Sequence, residues 1–284
     1  MRKFFAVIIL SAAVGIALPS SLEQATQHYQ HADYKGTVAA LAGADEADAA
    51  VWALRGKAHY QQGDYGAAVQ ALEQAVAAKP TNARYWDWLG KAYGRRAESG
   101  SFFKAMGRAK KCVHAFERAV EIDGDNLEGL VDLFQYYLNA PGFLGGGVDK
   151  AEALLGRIGE LNQAEKEFAL AELAKKKKEY AAAEAHLRKA ISLEADEVGR
   201  VLDLAQFLAE RKRFDESDRL FAEAEARAAG APKVLYARAE AYIKAGRKIA
   251  EARALLSRYL ASPLTPDDPP RHEAQRLLKK AKGD

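Results

Sequence analysis

The sequence predicts an all-α solenoid, a file of about seven helical hairpins followed by one further helix. Three observations carry that reading. Trp52 and Trp86 stand 34 residues apart, a period typical of stacked helix pairs. A small-x3-large-x2-small pattern recurs as Ala68/Leu72/Ala75, Cys112/Phe116/Ala119, Ala183/Leu187/Ala190 and Ser217/Phe221/Ala224, and each set falls on one helix face. The composition, 49% hydrophobic and 29% charged with only eight prolines, excludes a largely disordered chain, and its alanine richness favours helix.

The elements follow in order. Arg2 and Lys3 precede an apolar run from Phe4 to Leu18, and Gly15-Ile16-Ala17 supplies small residues before a cut, so 1–17 reads as a signal peptide. The run has 15 residues, short for a membrane span of roughly 20. No cysteine follows it, so a lipoprotein-type anchor is not expected, and Cys112, the only cysteine, allows no internal disulfide. The expectation is an exported protein, periplasmic first, with a secreted or N-terminally anchored form as alternatives. The net charge of +3 falls to +1 without Arg2 and Lys3, which gives no reason to expect nucleic acid through bulk charge.

The solenoid is expected over 18–262, with units near 21–48, 49–82, 83–126, 127–162, 164–197, 198–230 and 231–262. In the first, Ala32-Asp33-Tyr34 echoes Gly63-Asp64-Tyr65 of the second, and Leu41 takes the large apolar place. The third carries ten extra residues between Tyr93 and Cys112, expected in the turn between its helices. The fourth has five extra at the same turn, within Ala140–Gly147, where a proline and glycines must break helix. The last three units run through Leu187, Phe221 and Leu256. Pro263, Pro266, Pro269 and Pro270 then stop helix, and 263–284 is expected to be a Pro-rich turn and a capping helix. In that helix Leu277 and Leu278 should face inward, with Arg276, Lys279, Lys280 and Lys282 outward.

The residues Trp86-x2-Leu89-Gly90-x2-Tyr93, with Ala68-x3-Leu72, Ala75 and Pro80 upstream, carry a resemblance. On them, 21–262 resembles the tetratricopeptide repeat (TPR) superfamily, although Arg55 stands where leucine is usual and His59 where tyrosine is usual. The resemblance implies a right-handed superhelix whose concave face, lined by the first helix of each unit, holds a peptide or partner helix. A narrower likeness rests on Ser101–Lys111 and on Tyr136–Lys150 with its Ala-Pro-Gly-Phe-Leu-Gly-Gly-Gly turn. It is similar to exported bacterial TPR proteins without an assigned role. Some TPR proteins clamp a C-terminal carboxylate with asparagines at the ninth position of a unit; here those positions hold Lys57, Lys91, Gln135, Glu172, Gln206 and Glu240, so that clamp is absent.

By that resemblance, Lys57, Tyr60, Arg84, Trp88, Lys91 and Arg95 face the groove in its N-terminal half. Glu128, Asp132, Gln135, Glu172, Asp203, Glu210 and Glu240 face it further on. The expected partner is a protein segment with its acidic end near Trp88, Lys91 and Arg95 pairing with its carboxylates; the plain alternative is a solvated groove. Residues 91–111 hold seven Lys or Arg and one acid, Glu98, around Phe102, Phe103 and Met106. This accessory patch (Phe102, Phe103, Lys104, Arg108) either docks on an anionic membrane surface or acidic partner, or is an embellishment whose Phe pair packs on Phe143 and Leu144. The second reading is favoured, because both insertions occupy the same turn of neighbouring units. A membrane-peripheral or ligand-holding accessory role using this patch and the Gly-rich turn is the alternative function.

Gly145–Gly147 lacks the context of a phosphate loop, and Lys175–Lys178 reads as a solvated helix end. His28 and His31 share a helix face without a third ligand, so no metal is expected. Cys112 at a small-residue position is expected to be buried and unreactive. No H-E-x-x-H, G-x-S-x-G or similar spacing occurs, and neither an enzyme nor a cofactor is expected. The oligomeric state is open.

Overall fold

The computed structural model describes residues 20–98 and 101–282, so the signal-peptide expectation over 1–17 lies outside the described residues. Among the described residues there are fifteen α-helices and one 3-10 turn, with no strand. They are α1 (Ser21–Gln30), α2 (Tyr34–Ala40), α3 (Ala49–Gln61), α4 (Tyr65–Ala78), α5 (Ala83–Ala97), α6 (Phe102–Ile122), α7 (Leu127–Asn139) and α8 (Val148–Leu161). There follow α9 (Gln163–Lys177), α10 (Tyr180–Leu193), α11 (Val198–Glu210), α12 (Phe214–Arg227), α13 (Pro232–Lys244), α14 (Ile249–Ala261) and α15 (Arg271–Lys282). The 3-10 turn, Gly142–Leu144, lies between α7 and α8.

Short polar side chains start these helices by satisfying their first free N–H groups. Asp64 accepts from Ala67 N at 3.0 Å, Asn82 from Tyr85 N at 3.3 Å, Asn126 from Gly129 N at 3.3 Å and Asn162 from Glu165 N at 2.8 Å. Each helix packs on the next, and first helices of neighbouring hairpins also touch, as α3 does α5, α5 does α7 and α7 does α9. The small residues make that approach possible. A Cβ at Gly90 would stand 2.6 Å from the Phe116 ring, so α5 and α6 can lie this close only at glycine.

The core is a succession of local clusters rather than one centre. Leu72, Tyr93, Phe116 and Leu133 join α4 to α7; Phe134, Ile158 and Leu173 join α7 to α9; Leu187, Leu204 and Phe207 continue the file. Phe221 and Val234 carry it to α13, and Tyr242, Leu256 and Tyr259 to α15. A hairpin leaning only on its neighbours gains its stability from those shared contacts.

Three local expectations need revision. The ten extra residues of the third hairpin do not form a turn: most of them lengthen α6, which has 21 residues where α4 has 14. The run has no proline, and its alternation of Phe, Met and Lys suits a helix face. Nor does the Phe pair pack on the neighbouring insertion, because Phe102, Phe103 and Phe143 are 68%, 78% and 66% exposed. Lastly, α15 is more than an end cap. Leu277 is buried, Leu278 half-buried and Arg276, Lys279, Lys280 and Lys282 exposed, as the pattern requires. Yet the start of α15 and the segment before it also cross the trough to α3, α4 and α5. Gln61 Nε2 donates to the Pro266 carbonyl at 3.1 Å, and Arg95 pairs with the buried Glu273.

The Gly-rich turn behaves as the composition demands. Gly145 has φ +93°, and a Cβ on Gly146 would stand 1.9 Å from the Ala140 carbonyl oxygen. The three amides donate inward, to the carbonyls of Gly142, Pro141 and Tyr137 at 2.9, 3.2 and 2.8 Å. None is left pointing outward to cradle a phosphate.

Candidate functional site

A cleft of about 560 Å³ opens between α5 and α7, with α6 beneath it. Its floor is apolar, formed by Gly90, Gly94, Cys112 and Phe116, and its rim is polar, with Tyr60, Lys91, Arg95, Asp132, Gln135 and Asn139. The inserted turn supplies one wall through Pro141 and Leu144. That wall is pinned by Tyr136, whose hydroxyl lies 2.8 Å from both the Ala109 and Leu144 carbonyl oxygens. Burial pushes the Cys112 thiol up to about 12, so it lines the floor as a small apolar group rather than a nucleophile.

Of the groove residues named from sequence, Tyr60, Lys91, Arg95, Asp132 and Gln135 come together at this cleft. Lys57 and Trp88 adjoin it: Lys57 Nζ and Lys91 Nζ each lie 5.1 Å from the centre of the Trp88 ring, which meets Tyr60 edge-on at 5.4 Å. Trp88 is thus half-buried between two cations, not a bare apolar anchor. Arg84 lies apart, exposed beside Asn82 and Asp123. Phe102, Phe103, Lys104 and Arg108 belong to a different surface on α6.

The two cations expected to meet a partner's carboxylates are already engaged. Lys91 Nζ stands 2.9 Å from Asp87 Oδ2 and 3.0 Å from Asp132 Oδ2, and it also donates to Glu128. Burial alone would lower the pKa of Lys91, but three carboxylates outweigh it and raise it. Asp87, 2% exposed, is driven the other way, up to about 7, mainly by burial and further by Asp132, with Lys91 opposing. Burial raises Asp132 as well. Asp87, Glu128 and Asp132 bring their oxygens within 4.8 Å of one another, a spacing a cation could use, but the Lys91 ammonium holds the middle. The cluster therefore locks α5 to α7. His28 and His31 turn to separate local partners, Asp33 and the Gln27 carbonyl, both at 2.8 Å.

Arg95 is engaged twice over. It pairs with Glu98 at 3.0 Å and with Glu273, and its Nε and Nη2 donate to the Tyr65 hydroxyl at 3.1 and 3.0 Å. That hydroxyl lies 3.1 Å from His272 Nε2, and His272 Nδ1 donates to the Gln61 carbonyl at 3.1 Å. A carbonyl can only accept, so Nδ1 carries a proton; in neutral His272, Nε2 then accepts from Tyr65.

Models of the TPR repeat match residues 56–96, and models of the tetratricopeptide repeat match 96–126 and 168–197. These stretches carry TPR repeats. Its fold is similar to that of a tetratricopeptide repeat protein from Parabacteroides merdae ATCC 43184, with a TM-score of 0.59 at 13% identity, over 92% of this chain and 97% of that one. It is also similar to TTC0263, a thermophilic TPR protein in Thermus thermophilus, with a TM-score of 0.55 at 20% identity, over 66% of this chain and 97% of the other. No curated protein matches the chain.

The C-terminal half of the TPR groove is plainer. Glu172 pairs with Lys175 at 2.6 Å, Glu240 with Lys244 at 3.2 Å, and Arg200 with Glu165 at 2.6 Å. Asp203 is raised to about 6, chiefly by burial, with Arg200 opposing. The wall expected to be acidic is thus largely neutralised by its own cations. Among the groups that shape the site, the pattern in the sequence did not single out Asp87, which holds Lys91, nor Tyr136, Asn139 and Leu144, which line the cleft. The signal for the last three was the inserted turn itself, whose closing residues must lie against the first helix they follow.

Proposed function

We propose that this chain is an exported adaptor whose inner groove holds a segment of a partner protein. TPR arrays act in general as protein-interaction scaffolds, and the α5–α7 cleft is the observation that carries the finer reading. Its form, an apolar floor under a polar and charged rim, suits one apolar side chain entering while the segment's backbone meets Gln135 and Asn139. Charge plays a smaller part than the sequence suggested, because Lys91 and Arg95 have internal partners. Binding would alter the groove little, since α5 and α7 are already tied. Export rests on Arg2, Lys3 and the apolar run to Leu18. The ligand-holding alternative draws no support from the Gly-rich turn, whose amides are bonded within it.

Gly94 provides the test. Its Cβ position is 3.4 Å from Cys112 Sγ at the cleft floor, so Gly94→Leu places a side chain in the cleft without breaking α5. Capture of envelope proteins by the mature chain, compared by quantitative mass spectrometry, should fall about tenfold or more for the specific partner while the circular dichroism spectrum is unchanged. Undiminished capture by a folded Gly94→Leu chain would refute the cleft. A chain recovered only from the cytoplasm, with Met1 or Arg2 at its start, would refute export.

A further inference from the structure

The groove does not account for the far end of α6. Counted back from the matching small residues, α4 starts three residues before Ala68, but α6 starts ten before Cys112. At about 1.5 Å per residue, the seven additional residues carry α6 roughly 10 Å beyond the neighbouring helix at this edge. At the projecting tip stand Phe102 and Phe103, their rings edge-to-face at 5.8 Å and both largely exposed. Exposed phenylalanines cost free energy in water, and here two are held together on a helix end. Phe143, also exposed, lies in the turn of the next hairpin, which packs on α6.

The charge carried by the α6 extension itself is of one sign. Residues 99–116 contain Lys104, Arg108, Lys110 and Lys111 and no carboxylate. Lys104 and Lys110 are exposed, and among the described residues neither has an ion-pair partner. The tip is the exposed end of a helix, so it does not enclose a peptide as the cleft could. A second copy would bring like charges together. A flat, anionic, apolar-backed surface answers all three features at once.

We infer that the Phe102–Phe103 tip of α6 is an interfacial anchor for an anionic lipid bilayer, the rings entering the headgroup boundary while Lys104 and Lys110 meet lipid phosphates. No described helix is long and apolar enough to cross a membrane, so the contact is peripheral. It is independent of the groove, and a chain could anchor by α6 while holding a partner between α5 and α7.

Cosedimentation of the full mature chain with vesicles containing phosphatidylglycerol, beside vesicles of phosphatidylcholine alone, tests this. The wild-type chain should bind the first, bind the second much more weakly, and lose binding as salt rises. Phe102→Ser with Phe103→Ser should weaken binding about tenfold or more, and Lys104→Glu with Lys110→Glu should do the same. All four side chains are exposed, so the thermal midpoint of each variant should match the wild type, which separates loss of binding from loss of fold. Phe103→Trp adds a signature that adsorption by charge alone would not give, a blue shift of its added emission on phosphatidylglycerol vesicles. Equal binding to both lipids, retention of binding by the serine variant, or the absence of any vesicle binding would overturn the inference. So would tip-dependent capture of an acidic protein by a chain that ignores vesicles.

Discussion

The two halves of the inner wall are made of the same kind of helix, yet they handle charge differently. In the N-terminal half, Asp87 and Lys91 on α5 meet Asp132 and the exposed Glu128 on α7, so charges cross between hairpins and Asp87 is drawn out of water. In the C-terminal half, Glu172–Lys175 and Glu240–Lys244 are one-turn pairs on single helices, and the pair that crosses between hairpins, Arg200 with Glu165, sets one cation against its carboxylates rather than two facing aspartates. Opposite charges on one exposed helix add a few tenths of a kcal/mol, whereas a charge buried between helices is stable only while its partner stays. The sign of a residue read from sequence therefore says little about the field of a groove until its neighbours are known.

That contrast can be broken most directly at its centre. Lys91→Met leaves Asp87 and Asp132 facing each other without a cation, and should cost about 3–5 kcal/mol in urea denaturation. Lys175→Met in the other half should cost less than about 1 kcal/mol. Similar losses for the two would erase the distinction.

The next effect sharpens it through pH. Between about pH 4 and about pH 7, native Asp87 holds a proton that the unfolded chain has released. Its contribution to stability is therefore fully present at the acid end, falls as pH rises through this window, and is flat above it. Asp87→Asn should remove that part of the slope, about 1.4 kcal/mol for each unit by which the native pKa is raised, in the difference between variant and wild-type denaturation curves. A difference that does not vary with pH would mean that Asp87 is ionised throughout.

A smaller change is expected where the N-terminal half meets α15. Glu273→Gln removes the charge facing Arg95 and should cost about 1–3 kcal/mol. It should also speed amide hydrogen exchange in α15 before any change in α9 or α10. Exchange that rises evenly along the chain would show that the link is not local.

The hairpin pattern is readable because it is local: Leu72, Phe116, Leu187 and Phe221 each stand at a fixed offset from a small residue, and all four are buried. The Gly-rich turn is readable for the same reason, since Pro141 and Gly145–Gly147 leave the backbone few choices. Contact between units is harder to read. Lys91 and Glu128 are 37 residues apart, and only setting first helices of adjacent hairpins side by side brings them opposite. The Phe102 pair escapes the pattern because an insertion between two helices suggests a turn, when its residues can simply extend α6. The reach of α15 to Arg95, across 178 residues, depends on how far the whole file curls, which no short pattern encodes.

That reach changes how the molecule should come apart. A row of hairpins with free ends can peel from either one, since each link is held only by the next. Here the polar chain from Gln61 through His272 and Tyr65 to Arg95 and Glu273 buckles the row into a hoop. Helices α3 to α5 and α13 to α15 should then melt together, and the turn between α1 and α2 with them, since Ala32 packs on the cluster of Tyr259, Leu264 and Leu277.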